Sequence, residues 1–283
     1  MLKMPVGLYE KALPPEMSWE ERLATAGQAG YDFIDISIDE SDERLSRLDW
    51  TASERAALRQ DIANTGVQIS TMCLSAHRKY PLGSHDPQIR MQGLEILYKA
   101  IEFGVDIGLR VVQVMAYDVF YEVSDQETRA NFMEGLELGT RMAAQAGMML
   151  GLENLDTPFV ENASQGLAVI DEINSPWLRL YLDMGNLAAA GYSPPDEIRL
   201  TKDKLLGIHV KDAAPKIIRG IPFGEGIVPF RETFRALADI DFWGMLGVEI
   251  WGDRHSDQDP IAAAASARRF VADLVADTWT AGS

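Results

Sequence analysis

MMLGLE at positions 148–153 is a short apolar run that closes on Glu153, and three later runs have the same form. LRLYLD (178–183) ends at Asp183, LLGIH (205–209) at His209 and MLGVE (245–249) at Glu249. Apolar runs of this length, bounded by polar or turn residues, predict strands buried on both faces. A charged side chain at the end of such a strand is costly unless something pairs with it. Four such ends predict one shared partner, and a divalent cation is the simplest candidate.

The rest of the chain repeats the same alternation of an apolar strand, a loop and an amphipathic helix. Helix starts are indicated by capping-box patterns at Ser18/Glu21 and Thr51/Glu54. Alternating strands and helices predict parallel strands with right-handed crossovers. Eight such units in a chain of 283 residues have the size of a closed (β/α)₈ TIM barrel. The predicted strands are 6–9, 33–36, 67–73, 110–115, 148–153, 178–183, 205–210 and 245–250.

An open, doubly wound α/β sheet is the alternative fold. Against it, GLYEKALPPEMSWEE follows the first strand and contains no glycine-rich phosphate-binding fingerprint. No linker rich in Pro, Gly or Ser divides the chain, so we expect one TIM-barrel domain over 1–283.

Composition narrows the class of partner. The chain is 47% apolar and 24% charged, which favours a sizeable core, and its net charge is −17. An excess of acidic residues argues against nucleic acid as a partner. Cys73 is the single cysteine; it excludes an intrachain disulfide, and we expect it to be a small buried apolar residue. We find no apolar run long enough to span a membrane and no secretory signal, so a cytoplasmic location is expected.

Active groups of such barrels sit at the C-terminal ends of the strands, and consecutive strands are neighbours. Glu153, Asp183, His209 and Glu249 are therefore expected to converge on one ion at the barrel mouth. Three carboxylates and one imidazole suit Mn²⁺, Zn²⁺, Co²⁺ or Mg²⁺ and do not distinguish among them.

Several motifs resemble one known family. GLENLDTPF (151–159), YLDMGN (181–186), GIHVKD (207–212), RGIPFGEG (219–226) and GVEIW (247–251) are similar to the xylose isomerase-like barrels, most of all to the L-ribulose-5-phosphate 3-epimerases. CLSAHRKYPLGSHD (73–86) and GLYEKALP (7–14) extend the resemblance over nearly the whole chain.

The resemblance implies that the four strand-end residues bind a divalent metal and that Glu153 and Glu249 are the acid–base pair. It also implies a homodimer or larger homo-oligomer. The expected reaction is epimerisation at C3 of a pentulose 5-phosphate, in which a proton is removed next to a carbonyl and returned on the opposite face. Two carboxylates that flank the metal suit such chemistry, since one serves as base and the other as acid.

An anionic substrate requires donors. Basic residues follow two of the strands, and we expect His77, Lys211 and Arg219 to contact substrate. Asn186 stands where many free-sugar ketose 3-epimerases have a histidine, which favours a phosphorylated substrate and makes Asn186 a further candidate contact. The backbone N–H groups of Gly224 and Gly226 are a weaker candidate for binding an anion.

Other functions remain open at this level. Aldose–ketose isomerisation of a sugar or hexulose phosphate needs the same fold and ligands, with the chemistry moved by one carbon. A DNA-repair endonuclease of this superfamily binds zinc through clustered histidines. This chain has four histidines in total, which argues against that function. Two of them, His85 and His255, are expected to lie on the surface. In a non-catalytic sugar-phosphate-binding barrel we would expect some metal ligands to be lost, but all four candidate ligands are present.

Overall fold

The computed structural model describes residues 4–252 and 259–279, within which eight parallel strands close into a barrel in the order β1 to β8. Each strand pairs with its neighbours in sequence, and β1 pairs with β8 to complete the ring. The predicted closed barrel is therefore confirmed, and the open sheet is excluded. The strands are β1 (Val6–Tyr9), β2 (Phe33–Ile38), β3 (Gln68–Leu74), β4 (Val111–Met115), β5 (Met149–Glu153), β6 (Leu178–Asp183), β7 (Leu205–Val210) and β8 (Met245–Val248).

Helices cover the outside of the barrel. They are α1 (Trp19–Gln28), α2 (Asp42–Leu45), α3 (Ala52–Thr65), α4 (Pro87–Ile107), α5 (Gln126–Ala146), α6 (Ala163–Ile173), α7 (Met184–Ala189), α8 (Pro194–Thr201), α9 (Phe230–Asp239) and α10 (Pro260–Trp279). Short 3₁₀ helices occupy Glu10–Ala12, Ser46–Asp49, Ser75–Arg78 and Lys202–Lys204. In the described ranges, no helix combines the length and the apolar character needed to cross a bilayer.

Helix starts follow the local cues in the sequence. Ser18 with Glu21 caps α1, and Thr51 with Glu54 caps α3, each in a reciprocal capping box. Asp86 caps α4, and Pro87 occupies its first turn. The strands are buried on both faces because helices cover the outside and side chains fill the inside, which is why they read as continuous apolar runs.

A buried tyrosine packs against glycines of three other strands inside the barrel. Tyr181 lies on β6, two residues before Asp183, and is fully buried. Glycines occupy the corresponding positions on the three other strands that carry candidate ligands: Gly151, Gly207 and Gly247. A Cβ at Gly207 would lie 2.3 Å from the Tyr181 ring, and one at Gly151 would lie 2.9 Å from the Tyr181 Cβ. These glycines therefore leave the space that the tyrosine fills directly beneath the barrel mouth.

Candidate functional site

The C-terminal ends of β5 to β8 bring the four predicted ligands together. Glu153 is the last residue of β5 and Asp183 the last of β6, where it also caps α7. His209 is paired with Asp183 in the register between β6 and β7. Glu249 comes one residue after β8, and its N–H donates to the Val210 carbonyl at 3.1 Å. The shared C-terminal edge thus places all four side chains at the barrel mouth.

The donor atoms of these four residues form a compact cluster. One ligand atom from each lies within 4.8 Å of all the others. His209 Nδ1 is 3.0 Å from Glu153 Oε1 and 3.3 Å from Glu249 Oε2. Glu153 Oε2 is buried without a hydrogen-bond partner among the described residues. A divalent cation fits this cluster, because hard carboxylate oxygens and an imidazole nitrogen converge and one buried oxygen has no other partner.

The cluster concentrates negative charge among buried side chains, and this shifts the pKa values of its members. Burial lowers the pKa of His209, but the charges of Glu153 and Glu249 and a contact with Asp35 outweigh it and hold the pKa well above the usual value. Burial raises the pKa of Asp183 to about 7, even though the Lys211 ammonium opposes the shift. Such opposed shifts in one cleft are typical of functional sites.

Lys211 is a buried cation within the same cluster. Its Nζ lies 2.5 Å from Asp183 Oδ2 and 3.4 Å from Glu249 Oε1. It also donates to Asn186 Oδ1 at 3.0 Å. Burial lowers the pKa of Lys211, but the surrounding carboxylates raise it beyond its ordinary value, so the side chain remains charged. Lys211 therefore adds one fixed positive charge beside the candidate metal ligands.

Glu249 is oriented by a hydrogen bond from a neighbouring tryptophan. The indole Nε1 of Trp251 donates to Glu249 Oε1 at 2.9 Å. Burial raises the pKa of Glu249, but Lys211, His209 and this hydrogen bond lower it to about 2. Trp251 also lines the cavity.

The cavity above the ligands opens at the barrel mouth and carries aromatic and cationic side chains. Arg219 lies over the Trp251 ring at 4.5 Å, and Arg78 lies over Phe120 at 5.0 Å. Residues that line the cavity come from all around the ring: Tyr9, Lys11, Cys73, Ser75, Arg78, Met115, Tyr117, Phe120, Glu153, Leu155, Asp156, Asn186, Lys211, Ile218, Arg219, Glu249 and Trp251. Cys73 is buried, as expected.

Of the four predicted substrate contacts, the structure brings three to this cavity and not the fourth. Asn186, Lys211 and Arg219 line it. His77 is buried outside the lining, with its Nε2 3.1 Å from the Gly93 carbonyl. Burial lowers its pKa to about 4, so it is a neutral ring that ties the 3₁₀ helix after β3 to α4. The contrast arises because neighbouring residues of a short helix point in different directions, which sequence position does not specify.

The glycines of the loop after β7 also differ from the prediction. Gly224 N–H and Gly226 N–H, which we expected to be available to a bound anion, both donate to Asp212 Oδ2, at 2.8 and 3.0 Å. Ala213 N–H and Val228 N–H donate to Asp212 Oδ1. The anion bound by these backbone groups is therefore the protein's own Asp212 carboxylate, which gathers the loop carrying Arg219.

The remaining predicted histidines lie away from the cavity. His85 is exposed and contacts Glu122 and Asp125, as expected for a surface residue. His255 lies outside the described residues.

Sequence reasoning missed a polar layer beneath the ligands. Asp35 on β2 is fully buried and lies 3.4 Å from His209 Nε2, and Thr71 and Gln113 also donate to it. The available signal was a carboxylate inside the apolar run FIDISI, which a strand buried on both faces tolerates only with partners. Asn154 was missed as well; its Oδ1 accepts from the Asp183 backbone N–H at 2.7 Å and holds the end of β6.

Comparisons with known proteins find one family that matches most of the chain. Residues 23–274 match the model of the xylose isomerase-like TIM barrel family. L-ribulose-5-phosphate 3-epimerase UlaE of Escherichia coli O139:H28 (strain E24377A / ETEC) is 43% identical over 269 residues, covering 95% of this chain and 94% of the relative. The protein of the same name from Shigella boydii serotype 18 (strain CDC 3083-94 / BS512) is also 43% identical over these shares.

Solved structures agree on the fold. A structure of L-ribulose 3-epimerase superposes with a TM-score of 0.81 at 22% identity, covering 98% of this chain and 96% of that one. D-psicose 3-epimerase, solved in the presence of D-fructose, gives a TM-score of 0.82 at 18% identity, covering 96% and 99%. Taken together with the 43% identity to the curated relatives, these matches show that the chain belongs to the xylose isomerase-like TIM barrel family, in the branch of the L-ribulose-5-phosphate 3-epimerases.

Proposed function

We propose that this protein is a metal-dependent 3-epimerase that interconverts L-ribulose 5-phosphate and L-xylulose 5-phosphate. The observation that carries the proposal is the convergence of Glu153, Asp183, His209 and Glu249 within 4.8 Å of one another, in a chain 43% identical to relatives named for this activity. The proposed metal is one of Mn²⁺, Zn²⁺, Co²⁺ or Mg²⁺, held by these four side chains.

Epimerisation at C3 requires a base and an acid on opposite faces of the substrate. Glu153 and Glu249 are proposed for these roles, because they come from the two ends of the four-strand arc and both line the cavity. One glutamate removes the C3 proton, and the other returns a proton to the opposite face. When bound, the metal supplies Lewis-acid stabilisation of the negative charge that develops on the substrate oxygens.

Other side chains provide cationic and polar contacts. Lys211 and Asn186, which are hydrogen-bonded to each other, are proposed to contact the sugar oxygens beside the ligands. Arg219 and Arg78 line the wider part of the cavity. Their guanidinium groups suit a phosphate, because a planar fork of donors matches its oxygens. Arg78 Nε is buried with no hydrogen-bond partner among the described residues, so it is free to take one. His77 is not part of this proposal.

The reaction is tested by following hydrogen exchange in D₂O. NMR of the product formed from L-ribulose 5-phosphate at low conversion is expected to show deuterium at C3. Deuterium at C1 or C2 alone would instead identify an aldose–ketose isomerase, the alternative that shares this fold and ligand set. No turnover and no exchange in the metal-loaded protein would favour a non-catalytic sugar-phosphate-binding barrel.

The acid–base assignment is tested with Glu153→Gln and Glu249→Gln. Each is expected to lower kcat by a factor of about 10² or more, because a general acid–base residue typically contributes 10²–10⁴-fold. Both residues also belong to the ligand set, so metal content is measured in parallel; loss of turnover with metal retained supports the acid–base role. Glu137→Gln on the outer face of α5, where Glu137 pairs with Arg141, is the control. Near wild-type turnover in either active-site variant would refute the assignment.

We also propose a homodimer or larger homo-oligomer and a cytoplasmic location, in keeping with the family. Light scattering of the purified protein measures the assembly, and a monomer at micromolar concentration would contradict it.

A further inference from the structure

A buried carboxylate on the far side of the barrel has no role in the chemistry described above. Asp35 lies within β2, is fully buried and is flanked by apolar residues on the strand. Burying a carboxylate is costly unless it is hydrogen-bonded. Thr71 Oγ1 donates to Asp35 Oδ1 at 2.7 Å, and Gln113 Nε2 donates to Asp35 Oδ2 at 3.1 Å. Neighbouring strands β3 and β4 therefore fix this carboxylate in place.

The third partner of Asp35 comes from across the barrel. His209 Nε2 lies 3.4 Å from Asp35 Oδ2, whereas His209 Nδ1 faces Glu153 and Glu249. The two ring nitrogens thus point at different groups, one into the barrel and one into the candidate metal site. Both nitrogens face carboxylates, and the contact of Nδ1 with Glu153 is the shorter, at 3.0 Å. A metal held by the four candidate ligands would need the lone pair of Nδ1, so the proton of the neutral ring would then belong on Nε2, where the Asp35 carboxylate accepts it.

The ring itself has little freedom to turn. Tyr181 packs against it edge-on with the centroids 4.9 Å apart, and a Cβ at Gly247 would lie 2.8 Å from His209 Cδ2. The imidazole is therefore held by packing against Tyr181 and the Gly247 backbone and by Asp35 at one edge, with Nδ1 left to face the other three candidate ligands.

We propose that Asp35 is a positioning residue that holds His209 in the Nε2–H tautomer, so that the Nδ1 lone pair is directed at the metal. This inference rests on the proposed metal site. The arrangement is a carboxylate–histidine–metal triad, in which the outer carboxylate orients the ring and makes the coordinating nitrogen a better donor. Loss of such an outer partner typically lowers metal affinity 10- to 100-fold.

The first test measures metal affinity in Asp35→Asn by competition with a chelator, using Co²⁺, whose visible absorption also reports ligand geometry. Asparagine is nearly isosteric; it removes the charge and replaces one acceptor oxygen with an NH₂ donor. Affinity is expected to fall 10- to 100-fold, with an altered Co²⁺ spectrum. Asp118→Asn is the matched control: Asp118 is equally buried and accepts hydrogen bonds from Ser124 and Thr128, but it does not contact His209. The control is expected to bind Co²⁺ as wild type does.

The second test needs no variant and so does not depend on Asp35→Asn folding. NMR of the Zn²⁺-loaded wild-type protein, labelled with ¹⁵N in histidine, is expected to show a proton on His209 Nε2 and the metal on Nδ1. Zinc bound through Nε2, or equal Co²⁺ affinity and equal spectra in wild type and Asp35→Asn, would overturn the role of Asp35 while leaving the metal site intact. Failure of the wild-type protein to bind Co²⁺ would overturn the metal site and this inference with it.

Discussion

At the scale of single residues, His77 shows how a side chain can be next to a site in sequence and absent from it in space. It follows β3 in a basic loop, which favoured a substrate contact. In the structure its ring is buried, and its Nε2 faces the Gly93 carbonyl, while its Nδ1 has no hydrogen-bond partner among the described residues. This is the pattern of a neutral structural histidine that links two elements.

His77 is expected to make the protein sensitive to acid. Burial lowers the pKa of His77 in the folded state to about 4 from its ordinary value of 6.5, so below pH 6.5 the unfolded chain binds the proton first. Above pH 6.5 His77 does not change the free energy of unfolding. As the pH falls towards 4 that free energy decreases, by about 3 kcal/mol in total. His77→Gln should reduce the pH dependence of the free energy of unfolding in this window, measured by urea denaturation.

The same variant distinguishes the structural role from a catalytic one. His77→Gln keeps a donor for the Gly93 carbonyl, so KM for the pentulose 5-phosphate is expected to stay near the wild-type value. A large rise in KM with unchanged stability would restore His77 as a substrate contact.

At the scale of elements, the loop between β7 and α9 is organised by one internal anion. Asp212 accepts four backbone N–H groups from Ala213, Gly224, Gly226 and Val228. The loop passes so close that a Cβ at Gly226 would lie 2.1 Å from Asp212 Oδ1, and Gly224 has a φ of +85°. Both positions therefore require glycine. Arg219 lies between Ala213 and Gly224 in this loop and stands over the Trp251 ring, so we expect the closure to help hold it there.

Asp212→Asn is expected to weaken binding of the phosphorylated substrate. An amide NH₂ in place of one carboxylate oxygen faces backbone donors, so two hydrogen bonds are lost and the loop loosens. KM for the pentulose 5-phosphate should rise about tenfold, in the same direction as in Arg219→Ala, while KM for the free pentulose changes far less. Steady-state kinetics with both substrates measure the difference.

Glu225→Gln is the control for this loop. Glu225 is exposed, and the substitution removes a charge from the same segment without touching Asp212. An equal rise in KM for the phosphorylated and free sugars in Arg219→Ala would remove Arg219 from the phosphate site. Unchanged KM in Asp212→Asn would show that the loop keeps Arg219 in place without the carboxylate.

At the scale of the whole molecule, half of the barrel brings candidate metal ligands to one point. The C-terminal ends of β5 to β8 each contribute one of Glu153, Asp183, His209 and Glu249, in a chain of net charge −17. The global field favours a cation at the barrel mouth and opposes an anionic substrate. We therefore expect the cations that line the cavity, Arg78, Lys211 and Arg219, to offset this field for a phosphorylated sugar.

Metal binding is expected to stabilise the entire barrel, because the folded state gathers ligands that the unfolded chain scatters. At a free metal concentration 100-fold above Kd the gain is about 2.7 kcal/mol. Chelation should therefore lower the Tm of the wild-type protein by several degrees, measured by calorimetry. Asp183→Asn, which lacks one ligand, should show a much smaller shift, whereas the same shift in both proteins would indicate that the chelator acts elsewhere.

Much of the fold was predictable because strand and helix signals are local. The eight strands fall within a few residues of their predicted positions, and the caps at Ser18 and Thr51 start helices as expected. The short helices α2, α7 and α8 were not predicted. Helix α7 begins directly after Asp183, whose side chain caps it. One residue is therefore both the end of a strand and the cap of a helix. Hydrophobic periodicity does not reveal this double role.

By itself the sequence determined the barrel and the set of candidate ligands at the strand ends, because parallel strands share one edge and a residue at the end of each must lie near the others. Only the tertiary structure decided how side chains far apart in the chain meet: Asp35 with His209 across the barrel, Asp212 with the loop that returns to it, and His77 with Gly93 instead of the cavity. The physical reason is that backbone register follows from local periodicity, whereas the direction of a buried polar side chain is set by whichever partner satisfies it, and that partner comes from a distant part of the chain.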